Sequence, residues 1–382
     1  QQVNKQPLER AILFSINLSR DVSVEEQDRS LDELAALAET AGSVVVGRMS
    51  QRRNNIDPAY RMGKGKLKEL KTYVENLEAD LVISDDELTP TQLRNLEEEL
   101  DIKVIDRTLL ILDIFAQHAL SHEGRLQVEL AQLRYRLPRL RAVKGSLSRL
   151  GAGIGTRGPG ETKLETDRRH IRRRISKIED ELETWTERRA RQRQRRSDAL
   201  TIAVVGYTNA GKSSLINRLC QSDLYVEDKL FATLDANLRK VYLPNVPRDV
   251  ILSDTVGFIR KLPHQLIEAF RSTLEVAAEA DLLLHVIDSS DPEAATRLDV
   301  SRQVLDEIGA ENVPTFYALN KIDLLEENTC RDPLLMPSVR AIAEPSQIQM
   351  ISVKTGEGIQ SLRNALATAN LEVLAQTQEV KA

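Results

Sequence analysis

The stretch that most limits the possible folds of this chain runs from Gly206 to Ser214 and reads GYTNAGKSS. It follows TIAVV, a β-branched segment typical of a buried strand, and precedes SLINRLC, whose apolar spacing is helical. A G-x-x-x-x-G-K-S pattern between a strand and a helix is typical of a loop whose backbone N–H groups surround phosphate. The pattern therefore predicts a P-loop domain, in which helices cover a mainly parallel sheet.

Three more motifs follow in chain order, each directly after a predicted strand. DTVG at 254–257 follows RDVILS, NKID at 320–323 follows TFYAL, and SVK at 352–354 follows IQM. The carboxyl ends of parallel strands meet at one edge of a sheet, so we expect these motifs to lie beside the phosphate loop. Their order predicts a Ras-like domain that binds and hydrolyses GTP with Mg²⁺.

The phosphate end of the predicted site combines one cation, one metal and backbone amides. Lys212 is expected to contact the β- and γ-phosphate oxygens, and Ser213 to bind Mg²⁺. Thr233 of the segment FATLD is expected to complete the metal shell once GTP is bound. Asp254 holds Mg²⁺ through water in this prediction, and the Gly257 amide binds the γ-phosphate.

The base end of the predicted site selects guanine. Asp323 can accept two hydrogen bonds from guanine N1–H and the 2-amino group, a donor pair that adenine lacks. The SVK loop suits the support of guanine O6. The predicted catalytic residues are Lys212, Thr233 and Gly257, and the predicted metal ligands are Ser213 and Thr233. The predicted nucleotide contacts are Gly206, Tyr207, Thr208, Asn209, Ala210, Gly211, Lys212, Ser213, Ser214, Phe231, Ala232, Thr233, Leu234, Asp235, Asp254, Thr255, Val256, Gly257, Asn320, Lys321, Ile322, Asp323, Ser352, Val353 and Lys354.

A second glycine-rich stretch, GAGIGTRGPGET at 151–162, lies between two helical patterns and has no GKS or GKT. It is therefore not expected to be a phosphate loop. Apolar residues recur at heptad spacing on both sides of it, which predicts two long helices in an antiparallel hairpin with this stretch at its tip. The first helix is expected over 123–150, with a kink at Pro138 because proline lacks a backbone N–H.

The charge of the chain is strongly segregated. The net charge is −5, yet residues 122–197 hold 21 Lys and Arg against 10 Asp and Glu. A basic block of this kind favours a polyanionic partner, with nucleic acid the leading candidate. The alternative is an exposed helix with solvated arginines. The residues predicted to contact RNA are Arg157, Arg168, Arg169, Arg172 and Arg173.

The N-terminal part alternates short apolar runs with helical patterns. AILFSINL, SVVVGRM, DLVISD and KVIDRT read as strands separated by helices, which predicts a small parallel α/β sheet. GKGK at 63–66 opens a predicted helix and can hold an anion there, although a lysine-rich helix start is more often plain surface.

The predicted architecture is α/β throughout. It consists of an N-terminal parallel α/β domain at 1–120, a long antiparallel helical hairpin at 121–197, a C-terminal P-loop GTPase domain at 198–375, and a tail at 376–382. Two cysteines cannot build a disulfide framework and favour a reducing compartment. The polar first residues and the lack of a long apolar run predict a cytoplasmic protein that does not bind membranes. We expect a monomer when the protein is free.

The combination of motifs resembles the HflX family of GTPases that associate with the large ribosomal subunit. The resemblance rests on RTLLILDIFAQHALSHEGRLQVELAQLRYRLPRL, GPGETKLETDRRHIRRRI, GYTNAGKSSLINRL, LFATLDANLRK and DTVGFIRKLPHQLIEAF, and it covers about residues 10–375. It implies binding of ribosomal RNA near the peptidyl-transferase region, without DNA as a partner, and a role in splitting or rescuing stalled ribosomes. Some members bind ATP through the N-terminal region and remodel ribosomal RNA, but this sequence has no second complete nucleotide motif.

Two positions near the P-loop leave the hydrolysis mechanism open. Phe258 stands where Ras-like enzymes have the Gln that orients the attacking water, so either a partner or another cation must supply the missing function. Asn209 matches the asparagine that holds K⁺ in some related GTPases, although Asn is also a common turn residue. Two alternatives to a ribosome-dependent GTPase stay open: an NTP-dependent, helicase-like factor that remodels ribosomal RNA, and a regulatory switch that binds a protein effector through its basic hairpin.

Overall fold

The computed structural model describes residues 8–18, 23–140, 159–195, 199–220, 230–231, 238–263, 266, 268, 270–325 and 330–381. Their contacts form two compact units. The first lies within Gln1–Gln117 and Arg125–Thr184, and the second within His118–Gly124 and Trp185–Ala382. Most of the helical hairpin therefore groups with the N-terminal sheet. Among the described helices, none is long and apolar enough to cross a membrane.

Four parallel strands form the sheet of the first unit, in the order β2-β1-β3-β4. The central strands β1 and β3 carry fully buried side chains such as Leu13 and Ile83, because helices cover both faces of a parallel sheet. The predicted N-terminal α/β fold is confirmed. Its elements are β1 (Glu9–Asn17), α1 (Val24–Thr40), β2 (Ser43–Arg52), α2 (Lys64–Asn76), β3 (Leu81–Ser84), α3 (Pro90–Leu100), β4 (Lys103–Asp106) and α4 (Arg107–His118).

A buried ion-pair cluster closes the carboxyl end of this sheet. The guanidinium of Arg107 donates to Asp85 Oδ1 at 2.8 Å and to Glu33 Oε2 at 2.7 Å. Ser30 Oγ donates to the second Asp85 oxygen at 2.7 Å. Removing one partner of such a cluster leaves a buried charge uncompensated, so these contacts fix α1 and α4 against the strand ends.

Two helices, α5 (His122–Arg136) and α6 (Pro159–Arg195), form the predicted hairpin. The rings of His122 and Trp185 lie 6.3 Å apart, so the start of α5 lies beside the later part of α6 and the helices are antiparallel. The predicted apolar seam is present between them. It consists of Leu126, Leu130, Leu133, Ile175, Ile178 and Leu182.

The first hairpin helix is shorter than the sequence predicted. The expectation of a helix kinked at Pro138 is wrong, because α5 ends at Arg136 and a 3₁₀ turn, Leu137–Arg139, follows it. The Arg139 guanidinium donates to Leu88 O at 2.9 Å and lies 3.5 Å from the centre of the Tyr135 ring, which holds the chain in this turn. Residues 141–158, which include most of the glycine-rich stretch and Arg157, lie outside the described residues.

Six strands form the sheet of the second unit, in the order β10-β9-β8-β5-β7-β6. All neighbours are parallel except β6 and β7. This is the predicted Ras-like P-loop fold. Its elements are β5 (Leu200–Val205), α7 (Lys212–Cys220), β6 (Leu238–Val241), β7 (Val250–Asp254), α8 (Arg271–Ala278), β8 (Leu282–Asp288), α9 (Ala294–Glu307), β9 (Thr315–Asn320), α10 (Leu335–Arg340), β10 (Ile348–Met350) and α11 (Ile359–Lys381).

Candidate nucleotide-binding site

The four sequence motifs lie at one edge of the second sheet. They stand at the carboxyl ends of β5, β7, β9 and β10, which run in the same direction. Hydrogen bonds join the phosphate loop to two of the other motifs: Asn320 Nδ2 donates to Ala210 O at 2.9 Å, and Ser213 Oγ donates to Asp254 Oδ2 at 2.7 Å. The edge is therefore the natural place for a ligand that all four motifs contact.

The loop after β5 requires glycine at two positions. Gly206 has φ +140° and Gly211 has φ +98°. A Cβ atom would lie 2.2 Å from Val286 O at the first position and 2.4 Å from Asn320 Nδ2 at the second. Asn209 is also left-handed, with φ +60°, a conformation that Asn adopts more readily than most residues.

Lys212 begins α7 and is almost completely buried. Its Nζ donates to Gly206 O at 3.1 Å and to Tyr207 O at 2.8 Å, so the ammonium lies inside the loop. Burial lowers the pKa of Lys212 to about 8, and the nearby Asp254 carboxylate partly opposes that shift. A cation held in this way can neutralise the charge of a phosphate group.

The oxygen atoms of Ser213 and Asp254 suit a magnesium ion. A hydroxyl and a carboxylate lie within hydrogen-bond distance of each other beside Lys212, and Mg²⁺ prefers oxygen ligands of this kind. The turn that follows is anchored by Thr255 Oγ1, which donates to Val204 O at 2.7 Å. Ser213 would bind Mg²⁺ directly and Asp254 would hold it through water, and the ion would supply positive charge to the phosphates.

The residue that replaces the Ras-type glutamine is a buried anchor. Phe258 is 1% exposed, and its backbone pairs with the phosphate loop. Its N–H donates to Gly206 O at 3.1 Å and its carbonyl accepts from Thr208 N at 2.8 Å. The apolar side chain cannot orient water by hydrogen bonding, so the Phe258 side chain is not a substitute for the glutamine.

The NKID and SVK motifs are tied to each other. Asn320 is 2% exposed, and its Oδ1 accepts from Val353 N at 3.1 Å while its Nδ2 reaches the phosphate loop. Ser352 Oγ donates to Asp323 Oδ1 at 2.6 Å. Lys321 has φ +66°, and its Nζ lies 2.7 Å from Asp288 Oδ2. Asp323 itself is exposed at the edge of the sheet, where a base can approach it.

The segment between the first two motifs is described only in part. Phe231 is 3% exposed and has φ +57°. The predicted residues Ala232, Thr233, Leu234 and Asp235 lie outside the described residues. Ser214 is half-buried in the first turn of α7, and Lys354 is exposed.

The predicted RNA-contacting arginines lie on α6. Arg169, Arg172 and Arg173 are exposed, and Arg168 is half-buried. Arg174, next to them, is used differently: its guanidinium makes two hydrogen bonds, of 2.7 and 2.6 Å, to the Glu129 carboxylate of α5. The helix α6 therefore carries two kinds of arginine: Arg174 joins the two helices of the hairpin, while Arg169, Arg172 and Arg173 face solvent.

Comparisons with known proteins agree with this geometry. Residues 28–116 match the family model "GTP-binding GTPase N-terminal", residues 118–196 match "GTP-binding GTPase Middle Region", and residues 201–321 match "50S ribosome-binding GTPase". The GTPase HflX of Caldanaerobacter subterraneus subsp. tengcongensis is 59% identical over 320 residues, which cover 83% of this chain and 73% of that protein. The chain belongs to the HflX family of GTPases.

Other HflX relatives align over still more of the chain. The Escherichia coli GTPase HflX is 44% identical over 362 residues, which cover 94% of this chain and 82% of that protein. Among solved structures, the complex of SsGBP with GDP is 27% identical, has a TM-score of 0.53, and covers 96% of this chain and 99% of that one. The predictions of HflX membership and of GTPase activity are confirmed.

Sequence reasoning missed two features of this HflX site. It assigned Asn320 only to nucleotide binding, whereas the side-chain Nδ2 and Oδ1 atoms of Asn320 form hydrogen bonds with two other motifs. It also gave the Tyr207 side chain no role, although the Tyr207 hydroxyl accepts from Arg260 N at 2.7 Å. The available signal was a large aromatic residue in a loop where phosphate binding itself requires only backbone N–H groups.

Proposed function

We propose that this chain is a ribosome-dependent GTPase that acts on the large ribosomal subunit. It uses GTP binding and hydrolysis to split or rescue stalled ribosomes, and its basic hairpin contacts ribosomal RNA. The observation that carries the proposal is the match of the nucleotide-binding unit to the family model "50S ribosome-binding GTPase". The solvent-facing arginines of α6 support it, because protonated guanidinium groups suit phosphate.

The nucleotide roles follow from the edge of the sheet. Lys212 and the Gly257 amide bind the phosphates, while Ser213 and Thr233 hold Mg²⁺. Asp323 reads guanine, and its 2.6 Å hydrogen bond from Ser352 orients the carboxylate. GTP and GDP occupy the same site.

Two further assignments belong to this proposal. Asn209 holds K⁺, which would supply some of the positive charge that the hydrolysis site lacks, although its left-handed backbone alone gives a reason for Asn there. The protein works in the cytoplasm as a monomer when it is free of ribosomes. Both assignments are expectations from the sequence.

The RNA contact can be tested on α6. We expect the triple variant Arg169→Gln, Arg172→Gln, Arg173→Gln to bind purified large subunits more weakly, with a shallower dependence on salt. Each lost phosphate contact lowers the slope of log K against log salt by about 0.7–0.9, so three contacts lower it by about 2–3. Co-sedimentation with large subunits at increasing KCl measures this slope, with the non-hydrolysable GTP analogue present.

The matched control removes three exposed cations elsewhere, in the variant Lys68→Gln, Arg331→Gln, Arg340→Gln. This variant should bind like the unmodified protein. Equal affinity and slope for all three proteins would contradict an RNA contact by this face of α6, and would favour a protein partner. Splitting of ribosomes by the same variants, followed by light scattering, tests whether the contact is needed for function.

A further inference from the structure

The strands β5 and β7 pair a second time beyond their ends. Their regular ladder ends with Val204 opposite Asp254, and pairing resumes with Tyr207 opposite Phe258. The second strand has one more residue than the first between these two points, so the DTVG turn is a bulge closed at both ends. Gly257 lies inside that bulge.

The space around Gly257 is tight. A Cβ atom there would lie 2.9 Å from Thr208 Cα and 2.9 Å from Lys212 Nζ. The residue therefore lies directly against the phosphate loop and its buried ammonium. A small displacement of the segment after Gly257 would move the Gly257 amide relative to Lys212.

The side chain of Tyr207 holds that segment. Its hydroxyl accepts from Arg260 N at 2.7 Å, three residues after Gly257. Its ring is 5% exposed and lies 4.8 Å below the Arg297 guanidinium of α9. Arg260 is held from the other side as well, because its Nη2 lies 2.8 Å from Glu293 Oε1. One tyrosine thus joins the phosphate loop, the segment after DTVG and α9.

We infer that Tyr207 is a positioning residue that sets the Gly257 amide for the terminal phosphate of GTP. The inference rests on the proposed role of Gly257 in binding that phosphate. GDP lacks the group that the Gly257 amide would bind, so the Tyr207 hydroxyl contributes to the affinity for GTP and not to the affinity for GDP. Tyr207 thereby helps the site to distinguish the two nucleotides.

The variant Tyr207→Phe tests this, because it removes the hydroxyl and keeps the ring under Arg297. In the full chain, we expect the affinity for a non-hydrolysable GTP analogue to fall about 3- to 10-fold, as for the loss of one hydrogen bond. The GDP affinity should change less than twofold. Competition titrations against a fluorescent nucleotide give both dissociation constants. Tyr317→Phe is the matched control, because Tyr317 is another buried tyrosine of the same unit and lies in β9.

Two results would overturn the inference. One is an unchanged affinity for the GTP analogue in Tyr207→Phe. The other is an equal loss of both affinities, which would show that the hydroxyl only maintains the loop. A parallel Gly257→Ala variant separates the inference from the proposed function: if its preference for the GTP analogue is intact, the role of Gly257 itself is wrong. If Gly257→Ala loses that preference and Tyr207→Phe keeps it, only the role of Tyr207 is wrong.

Discussion

Binding of guanine nucleotide by this GTPase should be coupled to proton uptake above neutral pH. Burial lowers the pKa of Lys212 to about 8 in the free protein, with the Asp254 carboxylate opposing the shift. Phosphate oxygens placed beside Nζ favour the ammonium form and raise that pKa again. At a pH between the pKa of Lys212 in the free protein and its pKa in the complex, the free protein has a neutral Lys212 and must take up a proton when it binds nucleotide. The affinity must therefore fall as pH rises above about 8.

The size of the effect follows from the pKa. At pH 9 about nine-tenths of the free protein has neutral Lys212, so the apparent GDP affinity should be about tenfold weaker than at pH 7, which corresponds to about 1.4 kcal/mol. Binding at pH 9 should take up close to one proton. Isothermal titration calorimetry in two buffers with different ionisation enthalpies measures that number directly.

The variant Lys212→Arg is the control, because a guanidinium does not titrate in this range. It also shares any pH dependence that arises from the nucleotide, including ionisation of the GDP phosphates and of guanine N1. The difference between the two proteins therefore reports Lys212 alone. If the unmodified protein takes up no proton between pH 7 and 9, or if both proteins show the same pH dependence, the buried-ammonium argument fails.

Two further predictions concern other groups of the second unit. The variant Asp323→Asn should weaken GTP binding at least about tenfold and shift the preference toward xanthine nucleotides, because an acceptor that faces the guanine donors becomes a donor. Competition between GTP and XTP measures this preference. An equal preference before and after the change would show that NKID does not recognise the base. Burial, with Lys212 and Arg302 nearby, lowers the pKa of His285 to about 3, so unfolded chains bind a proton between about pH 6.5 and 3 that the folded protein does not, and stability falls as pH falls through that window. The variant His285→Gln should reduce the slope of the unfolding free energy against pH, measured with urea between pH 6 and 4, by up to about 1.4 kcal/mol per pH unit. The variant His170→Gln, at an exposed histidine, should leave that slope unchanged. Equal slopes in the two variants would contradict the assignment to His285.

The placement of the motifs was predictable from the sequence because it depends on topology alone. Each motif follows a β-branched or apolar run, and parallel strands bring their carboxyl ends to one edge whatever the intervening loops contain. The seam of the hairpin was predictable for the same kind of reason, since heptad spacing fixes which side chains meet.

Contacts between distant segments were not predictable in this way. The position of Pro138 indicated a disturbed helix, but the helix ends rather than kinks because Arg139 has partners at Leu88 O and Tyr135. The pairing of Tyr207 with Phe258 depends on one additional residue in the DTVG turn, a difference of register that no local pattern encodes. Sequence spacing gives order along the chain, while these contacts depend on three-dimensional register.

The replacement of the Ras-type glutamine by Phe258 has a consequence for how hydrolysis is controlled. Among the described residues, three groups expected to bind phosphate and base already have fixed positions: Lys212 is buried in its loop, Asp323 is hydrogen-bonded to Ser352, and Asn320 is hydrogen-bonded to two other motifs. Phe258 is fixed as well, but as an anchor of the DTVG turn, so its side chain is committed to packing. Nucleotide binding therefore needs little reorganisation of these three groups, whereas orientation of the attacking water must come from a group other than residue 258. We expect a free protein that binds GTP readily and hydrolyses it slowly, and a partner that accelerates hydrolysis by completing this site rather than by creating it.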